Sequence, residues 1–234
     1  MPVRIAVEED ALHGDLAVPE NARGLVIFIH GSGSSRFSPR NRQVAKILNQ
    51  HGLATLLLDL LTDAEHRIDE ETMQFRFDIP LLARRSNLVA SWAQKHPDVG
   101  RLPIGLFGAS TGAAAALLSA AALGSISAVV SRGGRPDLAA DGLMEVKAPT
   151  LLIVGGEDRT VLDLNRRAME RMTCLTRLHV VPGATHLFEE QGALEEVSRT
   201  AAEWFVDAFA AKEVQSGRLK SAVTYAGVGS GRLQ

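Results

Sequence analysis

The stretch Gly108-Ala109-Ser110-Thr111-Gly112 decides the fold, because it combines a G-x-S-x-G pattern with its position in the chain. A short apolar run, Pro103–Phe107, precedes it, and an alanine-rich helical pattern follows it. A strand, a sharp turn and a helix in this order form a nucleophile elbow, which exposes the serine hydroxyl at the carboxyl end of a sheet. Flanking glycines remove the Cβ atoms that would block the turn and permit positive φ. The pattern predicts that Ser110 is a nucleophile above a helix N-terminus, where N–H groups favour a developing anion.

The composition predicts a cytoplasmic α/β protein with a sizeable core. Of the 234 residues, 46% are hydrophobic. The net charge of -2 gives no electrostatic case for binding nucleic acid or an anionic membrane. Cys174 is the only cysteine, which excludes an internal disulfide and is typical of a reducing compartment. The segment Met1–Asp10 turns acidic before a signal-like core develops, and no apolar stretch approaches the roughly twenty residues of a membrane span.

Apolar runs alternate with helical patterns along the chain, which predicts a mostly parallel central sheet with helices on both faces. Two runs, Val3–Val7 and Leu12–Val18, predict an opening hairpin. The further predicted strands are Gly24–Ile29, Leu53–Leu58, Pro103–Phe107, Ile126–Val130, Pro149–Val154 and Leu178–Val181. The predicted helices are Asn41–His51, Asp78–His96, Ser110–Leu123, Leu162–Met172 and Ala193–Ala211.

The segments outside these elements indicate the bounds of the domain and whether a cap covers its site. We expect a single domain over residues 1–211 and a mobile C-terminal appendage, Lys212–Gln234, whose composition differs from the rest. About eighteen residues join the strands that end near Ser131 and begin near Thr150, which fits a short connection rather than a cap domain. Leu60–Phe77 is longer and polar, and it predicts a solvated loop, with a partial lid as the alternative.

A nucleophilic serine needs a base and an orienting acid, in the chain order Ser…Asp/Glu…His. All histidines except His179 and His186 precede the elbow, and His179 lies inside a predicted strand. His186 is therefore the predicted base. It lies on the loop after the last strand, where Gly183 gives the chain the freedom to turn the imidazole towards Ser110.

Asp158 is the predicted acid. It lies three residues beyond Gly155, in the loop that leaves a buried strand. Glu157 is its nearest competitor, and Asp137 and Asp141 follow the preceding strand, from which some hydrolases take their acid. An aspartate before a helix is also a common N-cap, so Asp158 can serve in both roles.

The loop His30-Gly31-Ser32-Gly33-Ser34-Ser35 follows a buried strand, at the position that supplies an oxyanion hole in such folds. The predicted donors are the backbone N–H groups of Thr111 and Ser32, with His30 bracing the loop from behind. The glycines match neither G-x-x-x-x-G-K-[ST] nor G-x-G-x-x-G. No H-E-x-x-H, paired-cysteine or EF-hand pattern is present, so we expect no cofactor and no metal.

Together, His30-Gly31, the elbow pentapeptide, Asp158 and His186 resemble an α/β-hydrolase of the dienelactone hydrolase-like group, over about Val3 to Phe209. Similar bacterial serine hydrolases carry H-G-S-G-S-S-R, G-A-S-T-G-A-A-A-A and P-G-A-T-H-L-F-E-E. Some of them are fused to phosphoribosyltransferase domains, of which these 234 residues contain none. Dienelactone hydrolases proper have cysteine where this chain has Ser110, so the dienelactone substrate itself does not carry over.

The resemblance implies an α/β-hydrolase fold without a large cap domain and a serine esterase activity. Its expected partner is a small-molecule carboxylic ester, thioester or lactone, cleaved through an acyl-enzyme intermediate. Two alternatives stay open: acyl transfer, and a non-catalytic interaction module of the same fold. A homo-oligomer is compatible with the sequence.

Arginines at the predicted carboxyl edge suggest how a charged substrate would be bound. Arg132 and Arg135 flank two glycines after a strand, and they can present a fork to a carboxylate or phosphate. Arg36, beside the oxyanion loop, can add to the same field. The alternative is that these arginines pair with acids such as Asp137 or face water.

Overall fold

Eight strands form one sheet in the computed structural model, which describes residues 1–227, with side chains of the last helix described to residue 214. The strands are β1 (Pro2–Val7), β2 (Asp10–Ala17), β3 (Leu25–Ile29), β4 (Ala54–Leu58), β5 (Ile104–Ala109), β6 (Ile126–Arg132), β7 (Thr150–Gly155) and β8 (Thr176–Val181). The helices are α1 (Pro39–Gln50), α2 (Asp63–Thr72), α3 (Ile79–Ala93), α4 (Thr111–Ala122), α5 (Arg159–Arg171) and α6 (Ala193–Gly227).

The strand order is β1-β2-β4-β3-β5-β6-β7-β8. The β1–β2 and β2–β4 pairs are antiparallel, and every later pair is parallel. Because parallel strands end at the same edge, the loops after β3, β5, β6, β7 and β8 meet there. This arrangement confirms the predicted α/β-hydrolase architecture.

Both faces of the sheet are buried, which explains the continuous apolar runs. In β3, Val26 and Phe28 face one core, and the alternating residue Ile27 faces the other. The first core lies under α1 and α6, and the second lies under α3 and α4. The run Ala113–Ala116 is fully buried, so small side chains let α4 lie close to the sheet behind the elbow.

The segment predicted as a solvated loop, Leu60–Phe77, contains helix α2, so that prediction is wrong. A capping box starts the helix: the Glu65 N–H donates to Thr62 Oγ1 at 3.3 Å, and the Thr62 N–H donates to Glu65 Oε2 at 2.9 Å. The pattern T-x-x-E was visible in the sequence. Asp69 is the one buried residue of α2, so the helix buries no apolar face. Its polar composition therefore resembles that of a loop.

The segment between β6 and β7 and the length of the last helix differ less from the predicted structure. β6 and β7 are joined through a 3₁₀ segment, Pro136–Glu145, which is interrupted at Ala140 and forms no large cap. α6 continues to Gly227 instead of ending at Ala211, and Lys212 Nζ donates to the Ser125 carbonyl at 2.8 Å. The predicted appendage therefore begins within a helix. Its last residues, 228–234, lie outside the described part of the chain.

Candidate active site

Ser110 occupies the turn between β5 and α4, with φ 50° and ψ -124°. A non-glycine residue in such a region costs about 1–3 kcal/mol and persists only where its surroundings fix it. The positive φ thus belongs to Ser110 and not to its flanking glycines. Gly108 and Gly112 are needed for close approach: an added Cβ would overlap the start of α4 at Gly108, and the Ile29 and His30 carbonyl oxygens at Gly112.

The structure brings the predicted base and the predicted acid together. His186 Nδ1 donates to Asp158 Oδ2 at 2.6 Å. Asp158 stands at the N-cap position of α5, but its side chain makes no capping bond and faces the imidazole instead. Close packing of the two loops depends on Gly155, where an added Cβ would overlap the Ala184 carbonyl. With Nδ1 as the donor, Nε2 is left able to accept a proton.

The alternative carboxylates lie elsewhere. Asp137 accepts two hydrogen bonds from the Arg135 guanidinium, 2.8 and 2.7 Å long. Asp141 accepts one from an arginine of α5 at 2.8 Å, and Glu157 is exposed. Asp158 is the carboxylate that the geometry favours as the partner of the imidazole.

The turn after β6 contacts both the serine and the histidine. The Ser110 N–H donates to the Arg132 carbonyl at 3.2 Å, and the Arg135 N–H donates to the Ser110 carbonyl at 3.1 Å. Between them lies Gly133, whose ideal Cβ position is 3.5 Å from His186 Cε1. Within the described residues, no hydrogen bond joins Ser110 Oγ to His186 Nε2. Such bonds are commonly long before substrate binds and tighten in the complex.

The loop after β3 packs on the elbow. An added Cβ at Gly31 would lie 3.0 Å from Ser110 Cβ. The Ser32 N–H donates to Thr111 Oγ1 at 2.9 Å. The two residues predicted as oxyanion donors are therefore in direct contact beside Ser110.

His30 braces this loop, as the sequence predicts. Its Nδ1 donates to the Gly31 carbonyl at 3.0 Å, and its Nε2 accepts from the Leu60 N–H at 3.2 Å. Desolvation lowers the pKa of His30 and outweighs the opposing effects of the Gly31 carbonyl and Asp59. The neutral ring thus joins the loop after β3 to the segment that leads into α2.

This placement predicts an acid-sensitive fold. Because the pKa of His30 is lower in the folded state, the unfolded chain binds a proton first as pH falls through the histidine range, and the free energy of unfolding decreases. Urea unfolding between neutral pH and about pH 5 should show a smaller decrease in a His30→Asn variant than in the parent. Equal decreases in both proteins would contradict the assignment.

A cavity of about 300 Å³ adjoins the loop after β3 and has α2 as one wall. The wall is anchored by Asp69, which is 2% exposed and accepts from the N–H groups of Phe75 and Arg76 and from Arg76 Nε at 2.6 Å. Burial raises the pKa of Asp69, but these hydrogen bonds outweigh it and hold the pKa below its ordinary value. The Leu60–Phe77 segment therefore forms part of the cavity wall, and the partial lid stays a prediction.

The three predicted substrate arginines differ in their partners. Arg36 pairs with Asp59, and Arg135 pairs with Asp137. Arg132 Nη1 is buried and has no hydrogen-bond partner among the described residues. Burial, followed by repulsion from Arg40, lowers the pKa of Arg132 to about 10. Among the described residues, Arg132 is the one of the three that has no carboxylate partner.

Other features lie away from this edge. Cys174 follows α5, and its Sγ is 3.5 Å from Thr176 Oγ1, at the start of β8 and at the opposite edge of the sheet from Ser110. Among the side chains that the structure describes, no cluster of three or more His, Cys, Asp or Glu residues could hold a metal ion. In the described part of the chain, no helix has both the length and the apolar character to cross a bilayer.

Comparison with known proteins identifies similar chains. The model of the dienelactone hydrolase family matches residues 12–212. A dienelactone hydrolase structure from Anabaena variabilis is 53% identical, with a TM-score of 0.87 over 88% of this chain and 96% of that one. Est1E from Butyrivibrio proteoclasticus shares the fold, with 19% identity and a TM-score of 0.74 over 89% of this chain and 99% of that one.

Proteins of two Mycobacterium tuberculosis strains, provisionally named phosphoribosyl transferases, are 57% identical over 195 residues. The match covers 83% of this chain but 43% of each relative. The chain thus spans less than half the length of these relatives.

Proposed function

Since the chain belongs to the dienelactone hydrolase family, we propose that it is a serine hydrolase that cleaves a small carboxylic ester, thioester or lactone through an acyl-enzyme. The hydrogen bond from His186 to Asp158, 2.6 Å long and at the same sheet edge as the strained Ser110, carries the proposal. A histidine–aspartate pair of this kind orients an imidazole for general base catalysis.

In the proposed mechanism, Ser110 Oγ attacks the carbonyl carbon while His186 Nε2 takes its proton. The N–H of Thr111 at the start of α4 stabilises the oxyanion, and Asp158 holds the imidazole in the tautomer that accepts at Nε2. The imidazolium then protonates the leaving alcohol. Water, deprotonated by His186, attacks the acyl carbon and releases the acid and free Ser110.

The cavity beside the oxyanion loop supports a small substrate. Its volume of about 300 Å³ is at the lower end for ligand pockets, and residues of α2 form one of its walls. Acyl transfer to an alcohol would use the same residues as hydrolysis. The transferase name of the mycobacterial relatives does not extend to this proposal, because less than half of each relative aligns.

The proposal is tested with a panel of p-nitrophenyl esters of increasing acyl length, in water and with added acceptor alcohols. We expect turnover of short esters by the parent and none above background by Ser110→Ala. A higher yield of new ester than of free acid would identify a transferase. A folded parent that hydrolyses no ester in the panel would favour the interaction module.

We further propose that Arg132 binds a negative charge on the substrate. The supporting observation is a partly buried guanidinium that has no carboxylate partner among the described residues and lies beside the elbow and near a second cation, Arg40. A desolvated cation gains most from an anion that can accept two hydrogen bonds. Arg36 and Arg135 already have such partners in Asp59 and Asp137.

Arg132→Ala should raise KM for p-nitrophenyl hemisuccinate about tenfold or more, because hydrogen bonds between charged groups contribute about 1.5–3 kcal/mol. KM for the same ester with its distal carboxyl methylated should change little. Arg171→Ala, at an exposed ion pair with Asp141, is the matched control and should affect neither substrate. An equal loss on both esters would assign Arg132 a structural role.

A further inference from the structure

The hydrogen bond between Ser32 and Thr111 means that the Ser32 N–H, one of the two predicted oxyanion donors, is already occupied. A backbone N–H carries one proton, and that of Ser32 is directed to Thr111 Oγ1 at 2.9 Å. Direct donation from Ser32 to an oxyanion would require the hydroxyl to leave. The Thr111 hydroxyl therefore occupies the direction in which the Ser32 N–H donates.

Thr111 itself has two donors at this place. It is the first residue of α4, so its backbone N–H has no partner within the helix. Its hydroxyl accepts from Ser32, and within the described part of the chain no group accepts the hydroxyl proton in return. The residue is 7% exposed, so both donors lie in a largely desolvated position next to Ser110. A buried hydroxyl proton without an acceptor is uncommon, because buried donors normally make a hydrogen bond.

Resting on the serine hydrolase function proposed above, we infer that the Thr111 hydroxyl is a catalytic oxyanion donor. As the bond from Ser110 Oγ to the carbonyl carbon forms, the C=O electron pair moves onto oxygen. That oxygen then accepts from the Thr111 N–H and from the Thr111 Oγ–H. Ser32 is a positioning residue, because its N–H orients and polarises the hydroxyl.

The physical basis is the cooperativity of hydrogen bonds. A hydroxyl that accepts one hydrogen bond donates a stronger one, by about 10–30% in condensed phase. Its donation to a full negative charge is stronger than donation to the ground-state carbonyl, so the interaction favours the transition state. Loss of one such donor lowers kcat by about 10²–10³ in comparable sites.

The test compares Thr111→Val, which removes the hydroxyl at nearly constant shape, with Thr111→Ser, which retains it. We expect kcat for a short p-nitrophenyl ester to fall on the order of 100-fold in Thr111→Val, with KM nearly unchanged. Thr111→Ser should remain within about threefold of the parent. The affinity for a boronic acid, which forms a tetrahedral adduct with the serine, should fall in parallel with kcat.

Two outcomes would overturn the inference. If Thr111→Val keeps or gains activity, the hydroxyl blocks the hole in the free protein, and Ser32 donates directly. If Thr111→Val and Thr111→Ser lose activity equally, together with thermal stability, the role is structural. Thr111→Ala, measured with the boronic acid, replaces Thr111→Val should the latter not fold. Turnover by the parent is measured in the same assay, so failure of the hydrolase proposal is seen separately.

Discussion

Ser110→Ala and His186→Ala are each expected to lower kcat for ester hydrolysis by roughly 10⁴-fold or more, because nucleophile and base act as one unit. For the same reason, the double variant should be no slower than either single variant. Steady-state kinetics on the best ester of the panel measures all three. Near-ultraviolet circular dichroism establishes that each variant is folded.

A matched control for the histidine is His179→Ala. His179 Nε2 bonds Glu196 Oε1 at 2.7 Å, on the side of β8 that packs near α6, and it makes no contact with the elbow among the described side chains. Its loss should leave kcat within a few-fold of the parent. Losses that add in the Ser110 and His186 double variant would show that the two residues do not share one mechanism.

Asp158→Asn is expected to lower kcat by about 10³–10⁴ with little effect on folding, since an amide can donate to Nδ1 and stabilise the wrong tautomer. The bond from His186 Nδ1 to Asp158 Oδ2 is the interaction that changes. Kinetics and a thermal melt of the same preparation separate the two effects.

Asp137→Asn is the matched control for the acid. It weakens the bidentate pair with Arg135 at the exposed side of the same edge and leaves the His186 contact intact. Its kcat should stay close to that of the parent. The reverse result, with activity retained in Asp158→Asn and lost in Asp137→Asn, would move the acid to the loop after β6.

Much of the fold was predictable from residue patterns. Buried parallel strands are marked by continuous apolar runs, such as Leu25–Ile29, and sharp turns by glycines at fixed offsets from Ser110. Because parallel strands end at one edge, the chain order of Ser110, Asp158 and His186 was enough to predict that they lie at the same edge of the sheet. The same reasoning placed His30 behind the loop after β3.

The remaining features depend on contacts that sequence spacing does not encode. α2 is held by the buried Asp69 and by Arg76, whereas its composition is that of a surface loop. From the sequence, the positive φ of the elbow was assigned to the flanking glycines, whereas Ser110 adopts it. The glycines instead allow close packing against the end of β3 and the start of α4, which residue spacing does not reveal. The partner of the Ser32 N–H, a side chain 79 residues away, was likewise invisible.

The most direct test of the central claim is covalent labelling of the purified protein with a fluorophosphonate, followed by mass spectrometry of its peptides. A serine activated by His186 attacks the phosphorus and expels fluoride, so we predict one phosphonyl adduct per chain, on the peptide that contains Ser110. Ser110→Ala should remain unlabelled, and His186→Ala should label far more slowly. Adducts on other residues alone, or equal labelling of the parent and Ser110→Ala, would contradict Ser110 as the nucleophile.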